Sequence, residues 1–163
     1  MTNSIAELEE TDCILVIGSN PTEAHPIIGA RMLSAKQKGA KLIVVDPRKT
    51  HIAEHADLHL RPYLGSDIPL LNGIMRLIIE EGWHNPEFIQ ERTEGFEALK
   101  EKVFEYPLER VEELCGVPPE DIRTATELYV RPGKSSTCYT PSITEYTCGT
   151  NGVLSLANLA MLT

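Results

Sequence analysis

The chain has 163 residues, of which 42% are hydrophobic and 24% are charged, and its formal net charge is −9. This length is enough for one domain with its own core, and the composition is typical of a soluble globular protein. The negative charge argues against a general nucleic-acid binder, which needs a basic surface. It still allows a local phosphate site built from backbone N–H groups and a few arginines.

Targeting signals and cysteine clusters are both missing from the sequence. The first twelve residues, MTNSIAELEETD, include neither a basic nor an apolar segment, and no apolar run approaches the roughly 20 residues that span a membrane. We therefore predict a cytoplasmic protein. The cysteines form no C-x-x-C pair, so we predict free thiols in or near the core, and no metal or iron–sulfur cluster bound by this chain.

The first half of the chain alternates between strand and helix patterns. The run CILVI, residues 13–17, predicts a strand buried on both faces of a parallel sheet. Apolar spacing over residues 25–38 predicts an amphipathic helix, and KLIVVD at 41–46 predicts a second buried strand. A short helix is expected over 50–55, and ADLHLRP at 56–62 predicts a third strand.

The second half of the sequence is richer in helix patterns. SSTCY at 135–139 is a possible fourth strand. The predicted helices cover residues 68–81, 86–92, 94–104, 107–115, 118–130 and 152–163. We therefore predict one α/β domain over residues 1–163, with an open, mostly parallel, Rossmann-like sheet flanked by helices. The last helix, SLANLAMLT, is apolar on almost every side, which predicts that further protein covers it or that it drives self-association.

Three loops follow the first three predicted strands, at residues 18–25, 46–50 and 61–67. Ligands of open parallel sheets bind beyond the carboxyl ends of the strands, where loops from adjacent strands converge. These loops contain glycines for a close backbone approach, an amide that donates and accepts, and charged groups. The candidate binding residues are Gly18, Asn20, Asp46, Arg48, Gly65 and Asp67.

The charged candidates suit the parts of a nucleotide. Asp46 ends the second strand, where nucleotide-binding sheets place a carboxylate that contacts ribose. Arg48 can make two parallel hydrogen bonds to a diphosphate, and Asp67 can accept from the N–H groups of a guanine edge. Ordinary turn chemistry for Gly, Asn, Asp and Pro is an equal alternative on spacing alone.

Other polar residues give weaker signals. His51, His55 and His59 are four residues apart, but the pattern changes to strand near residue 56, so we expect the three side chains to point apart and to bind no metal. His25, at a helix entry, is expected to be an ordinary hydrogen-bonding residue. The sequence has no nucleophile elbow and no ordered triad, so no catalytic residue is assigned.

Two long blocks of the sequence resemble a known family. The segment TNSIAELEETDCILVIGSNPTEAHPIIGARMLSAKQKGAKLIVVDPRKT and the later ITEYTCGTNGVLSLANLAMLT are similar to the catalytic alpha subunit of molybdenum- or tungsten-dependent formate dehydrogenases. These subunits belong to the molybdopterin oxidoreductase superfamily. The resemblance covers essentially the whole chain, in the family's order. One departure lies in CYTPSITEY, where the family usually has a Gly-rich stretch before Ile-Thr and a glutamine at the position of Glu145.

The resemblance implies a cofactor and a division of labour. In the family, the GSNP, DPRK and GSD loops line one guanine dinucleotide arm of a bis-molybdopterin guanine dinucleotide. The cysteines of a [4Fe–4S] cluster, the selenocysteine or cysteine that ligates the metal with its neighbouring histidine, and the arginine that handles formate lie in other segments. Cys148 does not match the metal-ligating cysteine. This sequence is therefore expected to be a domain of a larger subunit, inactive alone, whose partners are the remaining domains and electron-transfer subunits.

The leading hypothesis is the cofactor-binding domain of a formate dehydrogenase that interconverts formate and carbon dioxide in anaerobic metabolism. A second hypothesis keeps the superfamily and changes the substrate, because nitrate reductases, formylmethanofuran dehydrogenases and a large subunit of NADH–quinone oxidoreductase contain a similar domain. A third is a free-standing nucleotide-binding module without a redox role.

Overall fold

The computed structural model describes residues 3–131 and 133–163. Its four strands are β1 (Cys13–Ile17), β2 (Lys41–Val45), β3 (Leu58–Leu60) and β4 (Ser135–Tyr139), and a 3-10 helix at Ile5–Glu10 precedes them. The helices of the described residues are α1 (Pro21–Ala24), α2 (Pro26–Gln37), α3 (His51–Glu54), α4 (Asp67–Glu80), α5 (Pro86–Arg92), α6 (Phe96–Phe104), α7 (Leu108–Cys115), α8 (Pro119–Val130), α9 (Pro141–Thr144) and α10 (Gly149–Leu162).

The strands form one parallel sheet in the order β3-β2-β1-β4. Cys13 of β1 lies opposite Lys41 of β2 on one side and opposite Ser135 of β4 on the other. The chain runs outward from β1 through β2 to β3 and then returns to the other side of β1. This confirms the predicted open parallel α/β sheet, and it places a reversal of strand order between β1 and β4, where such sheets bind ligands.

The sheet carries a hydrophobic core on each face, because side chains alternate along a strand. Leu15 and Ile17 of β1 join a cluster with residues of α4, α8 and α10. Ile14 and Val16 point to the opposite face and join a smaller cluster with residues of α2 and α3. All five residues of β1 are buried, as the continuous apolar run predicted.

Helix α4 organises the second half of the chain. It contacts α6, α7, α8 and α10, and nine of its fourteen residues are buried. Gly73 allows the close approach of α7, because a Cβ atom there would lie 2.9 Å from Cγ2 of Val111. In this half of the chain, α6, α7, α8 and α10 therefore pack around one buried helix, α4, on one face of the sheet.

The structure adds one helix to the prediction and shortens one strand. The helix expected over 25–38 is confirmed as α2, but a separate helix, α1, precedes it in the segment predicted as a loop, and the chain bends at His25. Each of these two helices begins at a proline, Pro21 and Pro26, because proline fits a first turn but breaks a helix interior. The third strand has three residues instead of seven, and Pro62 has no N–H group with which to extend the ladder.

Helix α10 has one packed face and one exposed face. Leu156, Leu159 and Leu162 are buried, whereas Leu154 is 54% exposed and Met161 is 39% exposed. The expectation that further protein covers this helix, or that it drives self-association, stays a prediction. No helix in residues 3–131 and 133–163 combines the length and the apolar character needed to cross a membrane.

The predicted free thiols are confirmed. None of the cysteines forms a disulfide: Cys13 and Cys115 are buried, and Cys138 and Cys148 are partly buried. Cys13 and Cys115 act as small apolar core residues, because both side chains belong to the cluster around α4.

Candidate functional site

The three candidate loops converge at the carboxyl rim of the sheet, because β1, β2 and β3 are neighbours. A fourth segment, residues 140–144 after β4, reaches the same rim on the other side of β1. Sequence reasoning placed the first three loops correctly and did not include the fourth. The rim formed by these four segments is the candidate site.

The loop after β1 begins with a tightly held glycine. Gly18 has φ +56°, its N–H donates to the oxygen of Val45 over 2.9 Å, and its own carbonyl accepts from the hydroxyls of Thr140 (2.8 Å) and Ser142. A Cβ atom at Gly18 would lie 2.9 Å from Oγ of Ser142. The backbone angle and this contact already require glycine, so its predicted role toward a phosphate stays a prediction.

Hydrogen-bond donors without acceptors follow Gly18. Within the described residues, the backbone N–H groups of Ser19 and Asn20 donate to no acceptor, and neither does the side-chain nitrogen of Asn20. The Oδ1 atom of Asn20 accepts from the hydroxyl of Thr22 over 3.0 Å, and its carbonyl accepts from the N–H of Ala24, also over 3.0 Å. The acceptors of Asn20 are thus occupied by α1, and its donors are available to an anion.

Asp46 directly follows β2 and is almost fully buried, with 2% of its surface exposed. Its Oδ1 atom accepts from the backbone N–H of Arg48 (2.8 Å) and from Nε (3.3 Å), and Oδ2 accepts from Nη2 (3.4 Å). The Arg48 side chain is 73% exposed, so the guanidinium lies at the rim above the buried carboxylate. These three bonds leave the carboxylate about one of its four acceptor positions and leave Nη1 of Arg48 without a bond.

Residues of β3 and the residue that follows it hold the loop that carries Asp46. The Nε2 atom of His59 bonds to the main-chain oxygen of Asp46 over 2.8 Å, and Nε of Arg61 donates to the oxygen of Pro47 over 3.1 Å. The N–H of Asp46 also donates to the oxygen of Leu60 over 3.2 Å. Sequence reasoning missed both supporting side chains, because only the pairing of β2 with β3 shows which backbone they reach.

The histidine prediction is right in one part and wrong in another. His59 points away from the other two, into the loop after β2. The rings of His51 and His55 do not point apart: they contact edge to face, with centroids 5.1 Å apart, because residue 55 keeps helical backbone angles at the end of α3. In residues 3–131 and 133–163, no three His, Cys, Asp or Glu side chains are grouped as metal ligands would be.

The loop after β3 supplies open space and a half-buried acid, Asp67. Gly65 has φ +78°, and no atom lies within 4 Å of the position of a Cβ there. Ser66 donates to the oxygen of Tyr63 over 2.6 Å and precedes Asp67, the first residue of α4. Burial, and after it the negative charge of Asp46, raises the pKa of Asp67. Hydrogen-bond donors from a ligand would favour the charged form of this carboxyl.

One further residue of the rim has an unpaired polar atom. Thr50, in the loop after β2, is 7% exposed, and its buried hydroxyl has no hydrogen-bond partner within the described residues. Buried hydroxyls are usually paired, so this one is available to a ligand or an ordered water. The sequence pattern gave no signal for it, since a threonine before a short helix is normally a cap.

A concavity at the opposite edge of the sheet does not include the candidate site. A cleft of about 690 Å³ opens at the amino ends of β1 and β4, beside Thr11, Lys134 and Ser135, and none of the predicted site residues lines it. Hydrogen-bond chemistry and strand topology, and not a cavity, define the candidate site at the carboxyl rim.

Comparison with known proteins gives matches along the whole chain. The sequence model of the molybdopterin oxidoreductase family matches residues 1–163. The chain is 47% identical over its full length to the F420-dependent formate dehydrogenase 2 subunit alpha of Methanococcus maripaludis, and 40% identical to formate dehydrogenase H of Escherichia coli. It is 37% identical, over 98% of its length, to a nitrate reductase of Symbiobacterium thermophilum. The chain spans about a quarter of each relative, between 23% and 24%.

A solved structure agrees with these matches. Acetylene hydratase from Pelobacter acetylenicus superposes with a TM-score of 0.88 and 29% sequence identity, and the alignment covers 97% of this chain and 24% of that chain. The family match and the relatives at 40–47% identity therefore show that the chain belongs to the molybdopterin oxidoreductase family.

Proposed function

We propose that residues 1–163 form a single domain of a formate dehydrogenase alpha subunit and hold one guanine nucleotide arm of its bis-molybdopterin guanine dinucleotide. The parent would oxidise formate to carbon dioxide by two electrons. Support comes from similarity along the whole chain to formate dehydrogenase alpha subunits of Methanococcus maripaludis and Methanocaldococcus jannaschii, at 47% and 44% identity. The observation that carries the nucleotide site is the buried, arginine-paired Asp46 beside a loop of unpaired N–H donors.

Family membership implies a molybdopterin cofactor with molybdenum or tungsten in the parent. The rim fits a guanine dinucleotide arm by its donor set. The N–H groups of Ser19 and Asn20 and the Nη1 atom of Arg48 have no acceptor within the described residues, and these are the groups that bind a diphosphate. The buried hydroxyl of Thr50 is a further unpaired group in the same rim.

Each candidate residue has a role in this proposal. Asn20 and Arg48 bind the diphosphate, and Asp46 uses its remaining acceptor position for a ribose hydroxyl. Asp67 accepts from the N–H groups of guanine, and Gly65 leaves space beside it. Gly18 holds the loop in the conformation that presents these donors.

The proposal gives this chain a binding and orienting role. The metal centre supplies the two-electron chemistry when the cofactor is bound, and the protein supplies position and charge. No catalytic residue, metal ligand or [4Fe–4S] ligand is assigned to this chain; those groups belong to other segments of the parent. The isolated chain should therefore have no formate dehydrogenase activity, and metal-dependent turnover of formate by it would contradict the proposal.

Calorimetry with GDP tests the nucleotide site. We expect the D46A/R48A pair to weaken GDP binding by about tenfold or more, because it removes a ribose acceptor and a charged donor. The matched control is E81A/R123A. It removes an exposed ion pair in which Nη1 of Arg123, on α8, lies 2.8 Å from Oε1 of Glu81, at the end of α4. We expect this control to bind GDP like the original chain. Unchanged binding by D46A/R48A would refute the site.

A second candidate function is the same domain in another molybdopterin oxidoreductase, which the 37% identity to a nitrate reductase favours. Sequencing the DNA on both sides of the coding segment separates the candidates. A frame that continues upstream into clustered cysteines and a selenocysteine or cysteine beside histidine supports a redox subunit, and the metal-ligating residue narrows the substrate. A stop codon after Thr163 together with a ribosome site before Met1 supports a free-standing nucleotide-binding module.

A further inference from the structure

The peptide that joins Gly18 to Ser19 is held from one side only. Its carbonyl oxygen belongs to Gly18 and accepts from the hydroxyls of both Thr140 and Ser142. Its N–H belongs to Ser19 and donates to nothing within the described residues. A carbonyl oxygen has two lone pairs, so these two hydroxyls occupy its full capacity.

The planar geometry of the peptide bond lets this contact set the direction of the Ser19 N–H. The carbonyl and the N–H of one trans peptide lie in a plane and point to opposite sides. Since the Gly18 carbonyl is directed at the segment after β4, the Ser19 N–H is directed away from that segment. A rotation of this peptide would reverse both groups, would break both hydroxyl contacts, and would present a carbonyl oxygen where an anion is to bind.

The two hydroxyls are themselves anchored. Thr140 directly follows β4, and its carbonyl accepts from the N–H of Ile143 over 3.1 Å. Ile143 is 3% exposed and belongs to the cluster on the α4 face of the sheet. The segment after β4 is therefore tied to the core at one end and to the sheet at the other.

We propose that Thr140 and Ser142 are positioning residues, which fix the Gly18–Ser19 peptide so that the Ser19 N–H is presented to a diphosphate. This inference rests on the proposed function for the diphosphate, but its structural part does not. It assigns a role to the fourth segment of the rim, which contains none of the predicted site residues. The two residues need not touch the ligand: they act through the peptide.

The test uses the full 163-residue chain labelled with 15N. We compare the original chain with T140V/S142A, with each single variant, and with the control T144V. The Thr144 hydroxyl belongs to the same segment but donates to the oxygen of Pro141 over 3.3 Å, so its loss leaves the Gly18 carbonyl untouched. Amide relaxation gives the order parameter of the Ser19 N–H without any ligand, and titration with inorganic pyrophosphate and with GDP gives the affinity.

In T140V/S142A we expect the order parameter of Ser19 to fall from a rigid value of about 0.85 to below about 0.6. Pyrophosphate affinity should fall about tenfold, with smaller losses in the single variants, and T144V should match the original chain. An unchanged order parameter in T140V/S142A would overturn the inference, and so would a lowered one with unchanged affinity. If the original chain binds neither GDP nor pyrophosphate, the proposed nucleotide site itself is refuted. The order parameter of Ser19 in T140V/S142A, measured without ligand, still decides whether Thr140 and Ser142 fix the Gly18–Ser19 peptide.

Discussion

The Nε2 atom of His59 lies 2.8 Å from the main-chain oxygen of Asp46, so a side chain of β3 holds the residue that directly follows β2. A carbonyl oxygen only accepts, so Nε2 is the protonated nitrogen of this imidazole. Arg61 makes the same kind of contact to the next residue, Pro47, over 3.1 Å. The loop that carries the buried carboxylate is therefore held by side chains of β3 and of the residue that follows it, which bond to the loop's main-chain oxygens.

Replacing His59 should loosen this support. In H59A the carbonyl of a buried residue loses its partner, and we expect a loss of about 1–3 kcal/mol in the free energy of unfolding. For a chain of this size, each kcal/mol corresponds to a fall of about 2–4 °C in Tm, measured by thermal unfolding. The control is H55A, which removes an exposed ring whose contact is with His51, and it should change the free energy of unfolding by less than about 0.5 kcal/mol. Equal losses in both variants would contradict the role of His59.

Gly18 and Gly65 offer a matched comparison of backbone strain and side-chain contact. Both have positive φ, so an alanine at either position costs about 1–2 kcal/mol. Only at Gly18 does the added Cβ meet an atom, Oγ of Ser142 at 2.9 Å. In urea unfolding we expect G18A to lose about 1–3 kcal/mol more than G65A. The double variant G18A/S142G should recover part of that excess; an equal loss in G18A and G65A would show that the contact has no cost.

Asp67 should lower stability at neutral pH. Burial raises its pKa in the folded chain, so the folded state keeps this proton at pH values where the unfolded state has released it. Stability from this group therefore falls as pH rises from about 3.9, the ordinary value, through the raised pKa, and the whole penalty is present above it. We expect D67N to remove the penalty, giving a higher free energy of unfolding at pH 7 and a weaker pH dependence in the acid range.

Urea unfolding between pH 4 and pH 7 measures this effect. Asp121 lies in the first turn of α8, as Asp67 does in α4, so D121N reports the loss of helix-dipole stabilisation alone. At pH 7 we expect D67N to be more stable than D121N. The opposite order would show that the Asp67 carboxylate is stabilising in the folded chain.

Two of the thiols should be unreactive in the folded chain. Burial raises the pKa of Cys13 to about 12 and that of Cys138 to about 11. Thiolate is the form that attacks alkylating reagents. At pH 8 only about one in ten thousand Cys13 side chains and about one in a thousand Cys138 side chains would be thiolate. Mass spectrometry after brief iodoacetamide treatment should find both unmodified in folded protein and modified in urea. Modification of either one as fast as in urea would contradict their burial.

The strand and helix patterns predicted much of the fold because their signals are local. β1 and β4 have the predicted bounds, and α5 and the end of α8 also lie where expected. A continuous apolar run such as β1 and a helix that begins at a proline, such as α5, can be recognised from neighbouring residues alone. The short helix α1 was missed because its four residues lie in a segment, residues 18–25, whose Gly, Asn and Pro residues are typical of a loop.

The site was predictable in part for the same reason. The sequence could place Asn20, Asp46 and Asp67 in the segments that follow the first three strands, and adjacency of β1, β2 and β3 brought these segments together. It could not show that Thr140 and Ser142 bond to a carbonyl 122 and 124 residues away, because no local pattern reports such contacts. The binding roles of the six candidate residues stay predictions.

The strand order also has a consequence for the order of folding. β1, β2 and β3 come from residues 13–60, but β4 pairs with β1 only after a long helical insertion, and the contact of Thr140 with Gly18 closes a separation of 122 residues. Long-range pairing is slow, because the entropy of loop closure is lost before the contact is gained. We expect the β1–β2–β3 unit to form in the folding transition state and β4 with α9 to dock afterwards.

Two matched variants measure this order. Ile43 lies in β2 and Ile143 in α9, both are buried, and valine removes one methylene from each. In stopped-flow experiments, I43V should slow folding, whereas I143V should mainly accelerate unfolding. The reverse pattern would place β4 in the nucleus. If β4 docks last, the rim is completed only in the final step of folding, so partly folded chains expose the sheet without a finished binding site.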